Sequence, residues 1–136
     1  MTRKIDEIFE KLGNAIDALE IMVNKPMQED RNNIDSSIHR FEFVIELFWK
    51  ALKRILESRG QEAIYPKDVL KEAYAGHLID DDALWLQMLK DRNLTSHTYD
   101  EKLADKIHTN IKTYFPVLKA TYEKLYEQYV VGEKLK

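Results

Sequence analysis

A run of apolar residues, spaced alternately by four and three positions, constrains the fold of this chain more than any other feature. Its members are Ile34, Ile38, Phe41, Ile45, Phe48, Leu52 and Ile55. Because an α-helix turns by about 100° per residue, this spacing puts every member on one helical face. The chain also has few residues that force turns, with 4 Gly and 3 Pro among 136 residues. A few long helices are therefore predicted rather than many short strands.

The first two helices follow from apolar spacing and from the residues that interrupt it. A three- and four-residue apolar pattern predicts a first helix over residues 2–23, which Pro26 would stop. The strong apolar run predicts a second helix over residues 29–58. Gly60 follows it and suits a left-handed helix cap.

Three later helices are predicted partly from capping residues. Residues 66–76 form a short helix with a proline at the first position and a glycine at the end. Asp80 or Asp81 can cap the next helix, which we expect to continue to about residue 97. Thr98 and Glu101 have the spacing of a capping box, so a last helix should begin there.

The expected fold is all-α, an up-and-down bundle of four to five helices in a single domain over residues 1–136. Pro116 lies inside the apolar stripe of the last helix, where we expect a kink without a break. Hydrophobic residues make up 44% of the chain, which is enough for a buried core. No alternating strand pattern or internal repeat is visible.

Composition narrows the functional classes. The chain has no cysteine, which excludes disulfides and thiolate metal sites and is compatible with the cytoplasmic location that we expect. No apolar run approaches the roughly 20 residues that span a bilayer, and the N-terminus "MTRKIDEIFEKLG" lacks the apolar block of a secretory signal. The net charge is −3, so contact with nucleic acid would need a local basic patch.

The segment "DRNLTSHTYDE", residues 91–101, concentrates groups that can act on a phosphate. Asn93 and His97 are four positions apart and would share a face in a continuous helix, whereas Arg92 lies about 140° from His97. Histidine can move a proton near neutral pH, and arginine can grip a phosphate with two donors. Together they can cleave RNA without a metal by activating the ribose 2′-hydroxyl. The alternative is ordinary capping at a helix C-terminus, with His97 bonded to carbonyl groups.

"RNLTSHTY" resembles the R-x4-6-H signature of HEPN domains, with a polar residue after the arginine and H-x-Y at the end. Arg92, Asn93, His97 and Tyr99 each match a position of that signature. The resemblance extends over nearly the whole chain. "RFEFVIELFWKALKRIL", "PKDVLKEAYAGHLIDD" and "WLQMLKDRNLTSHTYDE" are similar to the HEPN subfamily of nucleotidyltransferase substrate-binding proteins.

The resemblance implies an all-helical homodimer in which two motifs meet across a cleft. It implies a toxin that cuts RNA without metal or cofactor, with Arg92 and His97 catalytic and Asn93 supporting them. It also implies a partner, a minimal nucleotidyltransferase that acts as antitoxin and, in the HepT branch, transfers AMP to the tyrosine, here Tyr99. An older interpretation of the subfamily is a non-catalytic subunit that binds substrate for the nucleotidyltransferase. A purely structural helical dimer is a third possibility.

Chemical reasoning also supports a dimer. One arginine and one histidine supply only part of the positive charge and proton transfer that cleavage of a phosphodiester needs. Two copies would double the positive charge around a phosphate, and one imidazole could act as base while the other acts as acid.

The remaining candidates have ordinary explanations beside functional ones. Lys50, Lys53 and Arg54 form either a solvated face or a local basic wall that contacts RNA or a nucleotide. The run Asp80, Asp81 and Asp82 is better explained by capping than by metal binding. Trp49 and Trp85 are expected in the core or the dimer interface. Three histidines show no zinc-binding spacing on a helix, namely His39, His77 and His108.

Overall fold

A computed structural model describes residues 3–25 and 31–132. Five α-helices follow one another along the chain, α1 (Lys4–Val23), α2 (Arg31–Ser58), α3 (Pro66–Ala75), α4 (Asp82–Asn93) and α5 (Glu101–Tyr126). Thr95–His97 form a 3₁₀ turn, and Glu127–Val131 continue α5 as a π-helix. The described residues include no strand, which confirms the all-α prediction.

Helix α2 is the centre of the bundle, because it contacts all four other α-helices. All seven residues of its apolar run are buried, and Val44 and Ala51 are also inaccessible to solvent. This second buried strip explains how one helix can pack against neighbours on several sides. Helix α1 contributes Phe9, Leu12, Ile16 and Leu19 to the same core.

Several predicted helix ends are confirmed. Gly60, just beyond α2, has a φ of +78°, the left-handed conformation expected of a glycine cap. Pro66 is the first residue of α3. The carboxylate of Asp81 accepts a hydrogen bond from the Leu84 amide at 3.1 Å and so caps α4. Helix α5 continues through Pro116 as one element. The predicted helix starts at residues 2 and 29 and the stop at Pro26 lie outside the described residues.

Two predictions around the motif are wrong. Helix α4 ends at Asn93 rather than near residue 97, so Asn93 and His97 do not share a helical face. The N-cap of α5 is Asp100, whose carboxylate accepts from the amides of Lys102 and Leu103 at 3.0 and 3.3 Å. Thr98 instead donates to the carbonyl oxygen of Thr95 at 2.9 Å, which stabilises the 3₁₀ turn. Asp100, which is two residues closer to α5 than Thr98, caps the helix in place of the predicted capping box.

The two ends of the described chain meet beside the C-terminus of α2. The guanidinium of Arg3 donates to the carbonyl oxygens of Tyr129 and Val130 at 3.3 and 3.4 Å. Arg59 donates to the hydroxyl of Tyr129 and to the carbonyl oxygen of Gly76. The π-helix is thus held by arginines that flank the start of α1 and the end of α2.

Candidate functional site

The motif lies on the connection between α4 and α5, where local hydrogen bonds shape a tight turn. Thr95 donates through its hydroxyl to the carbonyl oxygen of Arg92 at 2.7 Å. The amide of His97 donates to the carbonyl oxygen of Leu94 at 2.9 Å. Threonine and serine side chains compete with the backbone for such bonds, which explains why α4 stops here.

Two carboxylates of α2 hold this turn against the bundle. Glu46 accepts a hydrogen bond from the Arg92 guanidinium at 2.9 Å, forming an ion pair. Glu42, one helical turn earlier, is the second and weaker acceptor for the one proton of the Thr95 hydroxyl, at 3.3 Å. The turn is therefore anchored at two points. Glutamates spaced by four lie on the same side of α2.

Glu46 is ionised in this setting and contacts three neighbours. Burial raises the pKa of its carboxyl group. Hydrogen bonds from Trp49 and Lys50 and the charges of Arg92 and Lys50 outweigh burial, so the pKa is lower than usual. The Trp49 indole donates at 3.2 Å, and the Lys50 ammonium lies 3.3 Å away. A charged Glu46 is thus available at neutral pH to orient Arg92.

Arg92 keeps donors that the protein does not use. Its side chain is 30% exposed, and one of its terminal nitrogens also lies 3.4 Å from the side-chain oxygen of Asn93. Its Nε atom is buried and has no acceptor among the described residues. A buried N–H without an acceptor is unusual, so the described residues satisfy the Arg92 guanidinium only in part.

The side chains of His97, which ends the 3₁₀ turn, and of Tyr99, which follows it, are exposed to solvent. Both are exposed, Tyr99 to 83%, and their rings meet edge to face with centroids 6.1 Å apart. In the described part of the chain the His97 imidazole makes no hydrogen bond, so it does not cap the carbonyl groups of α4. Nor does any hydrogen bond link it to Arg92 there. Within one protomer, Arg92 thus contacts Asn93 and the His97 ring contacts the Tyr99 ring, and these two pairs are separate.

A buried carboxylate next to the motif ties α4 to α5. Asp91 is 3% exposed and accepts hydrogen bonds from Tyr114, Asn110 and Gln87 at 2.6, 3.0 and 3.1 Å. Burial and this carboxylate together raise the pKa of the Tyr114 hydroxyl far above its usual range. Because Asp91 precedes Arg92, the network fixes the backbone from which the guanidinium extends.

The other predicted contact residues lie along α2. Lys50 is linked to the motif through Glu46, whereas Arg54 pairs with Glu57 at 3.7 Å. Lys53 is half-buried and pairs with no carboxylate in the described chain. Trp85 is in the core as predicted, and Trp49 is half-buried beside Glu46.

The histidines and aspartates outside the motif form no recognisable site. His39 and His77 are both exposed at the surface, whereas His108 is buried in α5. Among the described residues, no three His, Asp or Glu side chains group closely enough to hold a metal ion. No helix in that part of the chain is both long and apolar enough to cross a membrane.

Sequence reasoning did not assign Glu46, Glu42 or Asp91 to the site. Glu42 and Glu46 are visible in the sequence as a pair at i, i+4 on an amphipathic helix, a weak signal that gives no partner across the bundle. Asp91 lies three positions after Met88, on the inward side of α4, but a charged residue near a helix end gives no sign of its partners. Its burial depends on α5, which packs over it.

Comparison with known proteins agrees with this architecture. The family described as "Nucleotidyltransferase substrate binding protein like" matches residues 7–127. A protein of Haemophilus influenzae named "Probable ribonuclease HepT" is 40% identical over 86 residues, a match that covers 57% of this chain and 57% of that protein. The aligned region thus spans little more than half of that relative.

Two solved structures share the fold. A crystal structure of a protein from Thermus thermophilus has a TM-score of 0.78 and 33% identity, covering 84% of this chain and 98% of that one. A protein from Haemophilus influenzae, described as having the fold of a substrate binding domain of a nucleotidyltransferase, has a TM-score of 0.66 and 30% identity. That match covers 89% of this chain and 96% of the other. The helices that carry or contact the motif are α2, α4 and α5, and all three lie within the matched residues 7–127. The chain belongs to the nucleotidyltransferase substrate binding protein-like family.

Proposed function

We propose that this protein is a metal-independent endoribonuclease that acts as a homodimer and is held inactive by a minimal nucleotidyltransferase. One observation carries the proposal. Glu46 anchors Arg92, while His97 and Tyr99 stay exposed on the same turn and take no part in the core. An arginine held by a carboxylate, on the same turn as an exposed imidazole, supplies the positive charge and the proton transfer that phosphodiester cleavage needs. The name of the ribonuclease relative supports the same conclusion.

The reaction uses the 2′-hydroxyl of RNA as the nucleophile. Its oxygen attacks the adjacent phosphorus and the bond to the 5′-oxygen breaks, leaving a 2′,3′-cyclic phosphate and a 5′-hydroxyl. His97 of one protomer takes the proton from the 2′-hydroxyl, and His97 of the second protomer protonates the 5′-oxygen. Arg92 donates to the phosphate oxygens and offsets the charge that grows in the transition state. Asn93 helps to orient Arg92.

The dimer supplies what one protomer lacks. Within a protomer no hydrogen bond joins Arg92 and His97 among the described residues. A second copy that faces the first provides another imidazole and another guanidinium. Phe43 on α2 is 53% exposed and packs edge to face on His39, so it offers apolar surface for such a contact.

Tyr99 is the proposed site of silencing. With 83% of its surface exposed, its hydroxyl can attack the α-phosphorus of ATP bound to a nucleotidyltransferase, which releases pyrophosphate and leaves AMP on the tyrosine. The added phosphate and nucleoside would lie beside the His97 ring, whose centroid is 6.1 Å from that of Tyr99. AMP at this position would block the approach of RNA.

The deciding experiment is RNA cleavage by the purified chain in excess EDTA. We expect cyclic-phosphate ends, loss of cleavage in His97→Ala, and retention in His77→Asn, which changes an exposed histidine in the turn after α3 and keeps a residue type that tolerates its φ of +64°. Circular dichroism should show both variants folded. Mixing His97→Ala protomers into the unmodified protein should lower the activity with the square of the unmodified fraction if the two motifs share one cleft, because each mixed dimer lacks one of the two imidazoles. Cleavage that persists in His97→Ala would refute the proposed chemistry.

A second candidate is a non-catalytic subunit that presents a substrate to the nucleotidyltransferase. The family description and the solved Haemophilus influenzae structure favour it. It predicts a stable complex, no RNA cleavage by the chain alone, and loss of nucleotidyl transfer to some substrate when the chain is omitted. Growth arrest that depends on His97 when the chain is expressed alone would support the nuclease instead.

A further inference from the structure

Two adjoining cavities lie along the C-terminal half of α2. The larger, about 640 Å³, is lined by residues of α1, α2 and the π-helix, including Arg3, Lys4, Arg59 and Tyr129. The smaller, about 270 Å³, is lined by Trp49, Lys50, Lys53 and neighbours. Arg54 and Glu57 line both cavities, so the two share a wall and together form one surface. We call it the cationic groove.

The groove is strongly basic in a protein whose net charge is −3. Glu57 is the one carboxylate of its lining in the described chain, against six cations, which are Arg3, Lys4, Lys50, Lys53, Arg54 and Arg59. Some of these cations already form ion pairs, such as Arg3 with the carboxylate of Asp6 at 2.8 Å. Within the described residues, Lys4 and Lys53 pair with no carboxylate. Lys50 and Arg54 also pair with Glu46 and Glu57, but the cations around this concave surface outnumber the carboxylates, and such a surface attracts an anionic ligand.

The groove begins at the motif. Lys50 lines its smaller cavity and pairs with Glu46, the residue that also holds Arg92. From Glu46 to Ser58 at the far end, α2 rises by about 18 Å at 1.5 Å per residue. A polyanion bound along α2 would therefore run from the reactive turn to the paired ends of the described chain.

We propose that the cationic groove binds the phosphodiester backbone of single-stranded RNA outside the point of cleavage. This proposal rests on the proposed function for the class of substrate, and it assigns a separate binding surface. Among the described residues no histidine lines the groove, so it binds without cutting. Positive grooves that follow the backbone, with aromatic side chains beside them, are the usual design for single strands. Trp49 is the half-buried aromatic residue here.

An acidic protein partner fits the groove less well. Protein interfaces have apolar cores and are depleted in lysine. The most exposed apolar side chains of the described chain, including Ile64, Tyr65 and Phe43, lie outside the groove. The groove offers separated positive charges instead, as a chain of phosphates requires.

The test measures RNA binding by the His97→Ala protein, which cannot cut by the proposed chemistry. The probe is a fluorescent single-stranded RNA of about 12 nucleotides, followed by anisotropy at several salt concentrations. Lys4→Gln together with Lys53→Gln should weaken binding roughly tenfold and reduce the slope of log K against log salt by about 1.4, the value for two lost phosphate contacts. The matched control is Lys11→Gln with Lys71→Gln, which removes the same charge from two exposed lysines outside the groove and should change the affinity less than about twofold.

The outcomes separate cleanly. Equal losses in the two double variants would show a general charge effect and overturn the proposal. An unchanged salt slope in the groove variant would also overturn it. So would RNA binding that is retained while the complex with the nucleotidyltransferase is lost, because the groove would then be a docking face. A failure of cleavage by the unmodified chain leaves this measurement intact and counts against the proposed function instead.

Discussion

Glu46 on α2 and Arg92 on α4 lie 46 positions apart in the chain and form an ion pair of 2.9 Å. Their side chains are 32% and 30% exposed, so the pair is within reach of both water and ligands. A guanidinium has five N–H donors, and one carboxylate does not use them all. Glu46 can therefore orient Arg92 while donors remain for a phosphate.

The first prediction concerns Glu46 as a positioning residue. In Glu46→Gln the guanidinium loses its charged partner and samples more orientations. We expect RNA cleavage to fall about tenfold in kcat with little change in KM, because alignment in the transition state suffers more than substrate binding. Steady-state kinetics on a defined RNA measures both constants.

Glu20→Gln is the matched control. Glu20 pairs with Lys119 at 2.7 Å, and its side chain is also 32% exposed, but the pair lies away from the motif. We expect normal kinetics and a change in unfolding free energy below about 1 kcal/mol, which is typical of exposed ion pairs. Similar kinetic losses in both variants would mean that Glu46 acts only through stability.

The second prediction concerns Asp91. The carboxylate accepts three hydrogen bonds in a buried setting, and an amide in its place brings N–H groups against donors. Asp91→Asn should lower the free energy of unfolding by about 2–3 kcal/mol, as measured by urea denaturation. Asp80→Asn changes an exposed aspartate and should have almost no effect. A stable Asp91→Asn protein would remove Asp91 as the tie between α4 and α5.

The third prediction is a pH dependence of stability that originates at His108. Burial lowers the pKa of its imidazole from 6.5, the Lys112 charge lowers it further, and Asp105 opposes the change in part. The folded state therefore binds a proton less readily than the unfolded state. This stabilising contribution is complete above pH 6.5 and is lost as the pH falls toward the folded-state pKa.

Urea denaturation of His108→Gln measures this contribution. Between about pH 7.5 and about pH 5.5 the unmodified chain should lose stability more steeply than His108→Gln, which has no imidazole to protonate. The exposed His39 provides the control, and His39→Gln should follow the unmodified chain. Parallel curves for His108→Gln and the unmodified chain would exclude His108 as the source.

The fourth prediction separates cleavage from silencing at Tyr99. The Tyr99→Phe protein keeps the ring beside His97 but has no hydroxyl to accept AMP. It should cut RNA at nearly the normal rate and stay active after incubation with the nucleotidyltransferase and ATP, whereas the unmodified chain should gain AMP and lose activity. Intact-mass spectrometry measures the modification. The exposed Tyr74 serves as the control, and Tyr74→Phe should be modified normally. AMP on a residue other than Tyr99 would contradict the assignment.

The sequence by itself determined the helices and the location of the motif. Both depend on short-range spacing, such as the apolar run from Ile34 to Ile55, all of which is buried in α2. The ends of α4 and α5 were harder to predict, because Thr95, Thr98 and Asp100 can each bond backbone groups at a helix end and lie within six residues. Local spacing does not say which of these bonds forms.

Tertiary structure alone decided which residues support the motif. Glu46 reaches Arg92, and Asp91 is buried under Tyr114, because α2, α4 and α5 pack side by side. The cationic groove likewise needs Lys4 of α1 next to Arg54 of α2 and Arg59 beyond it. A periodic pattern shows which face of a helix is buried, but the neighbour that each polar group meets depends on how the faces dock.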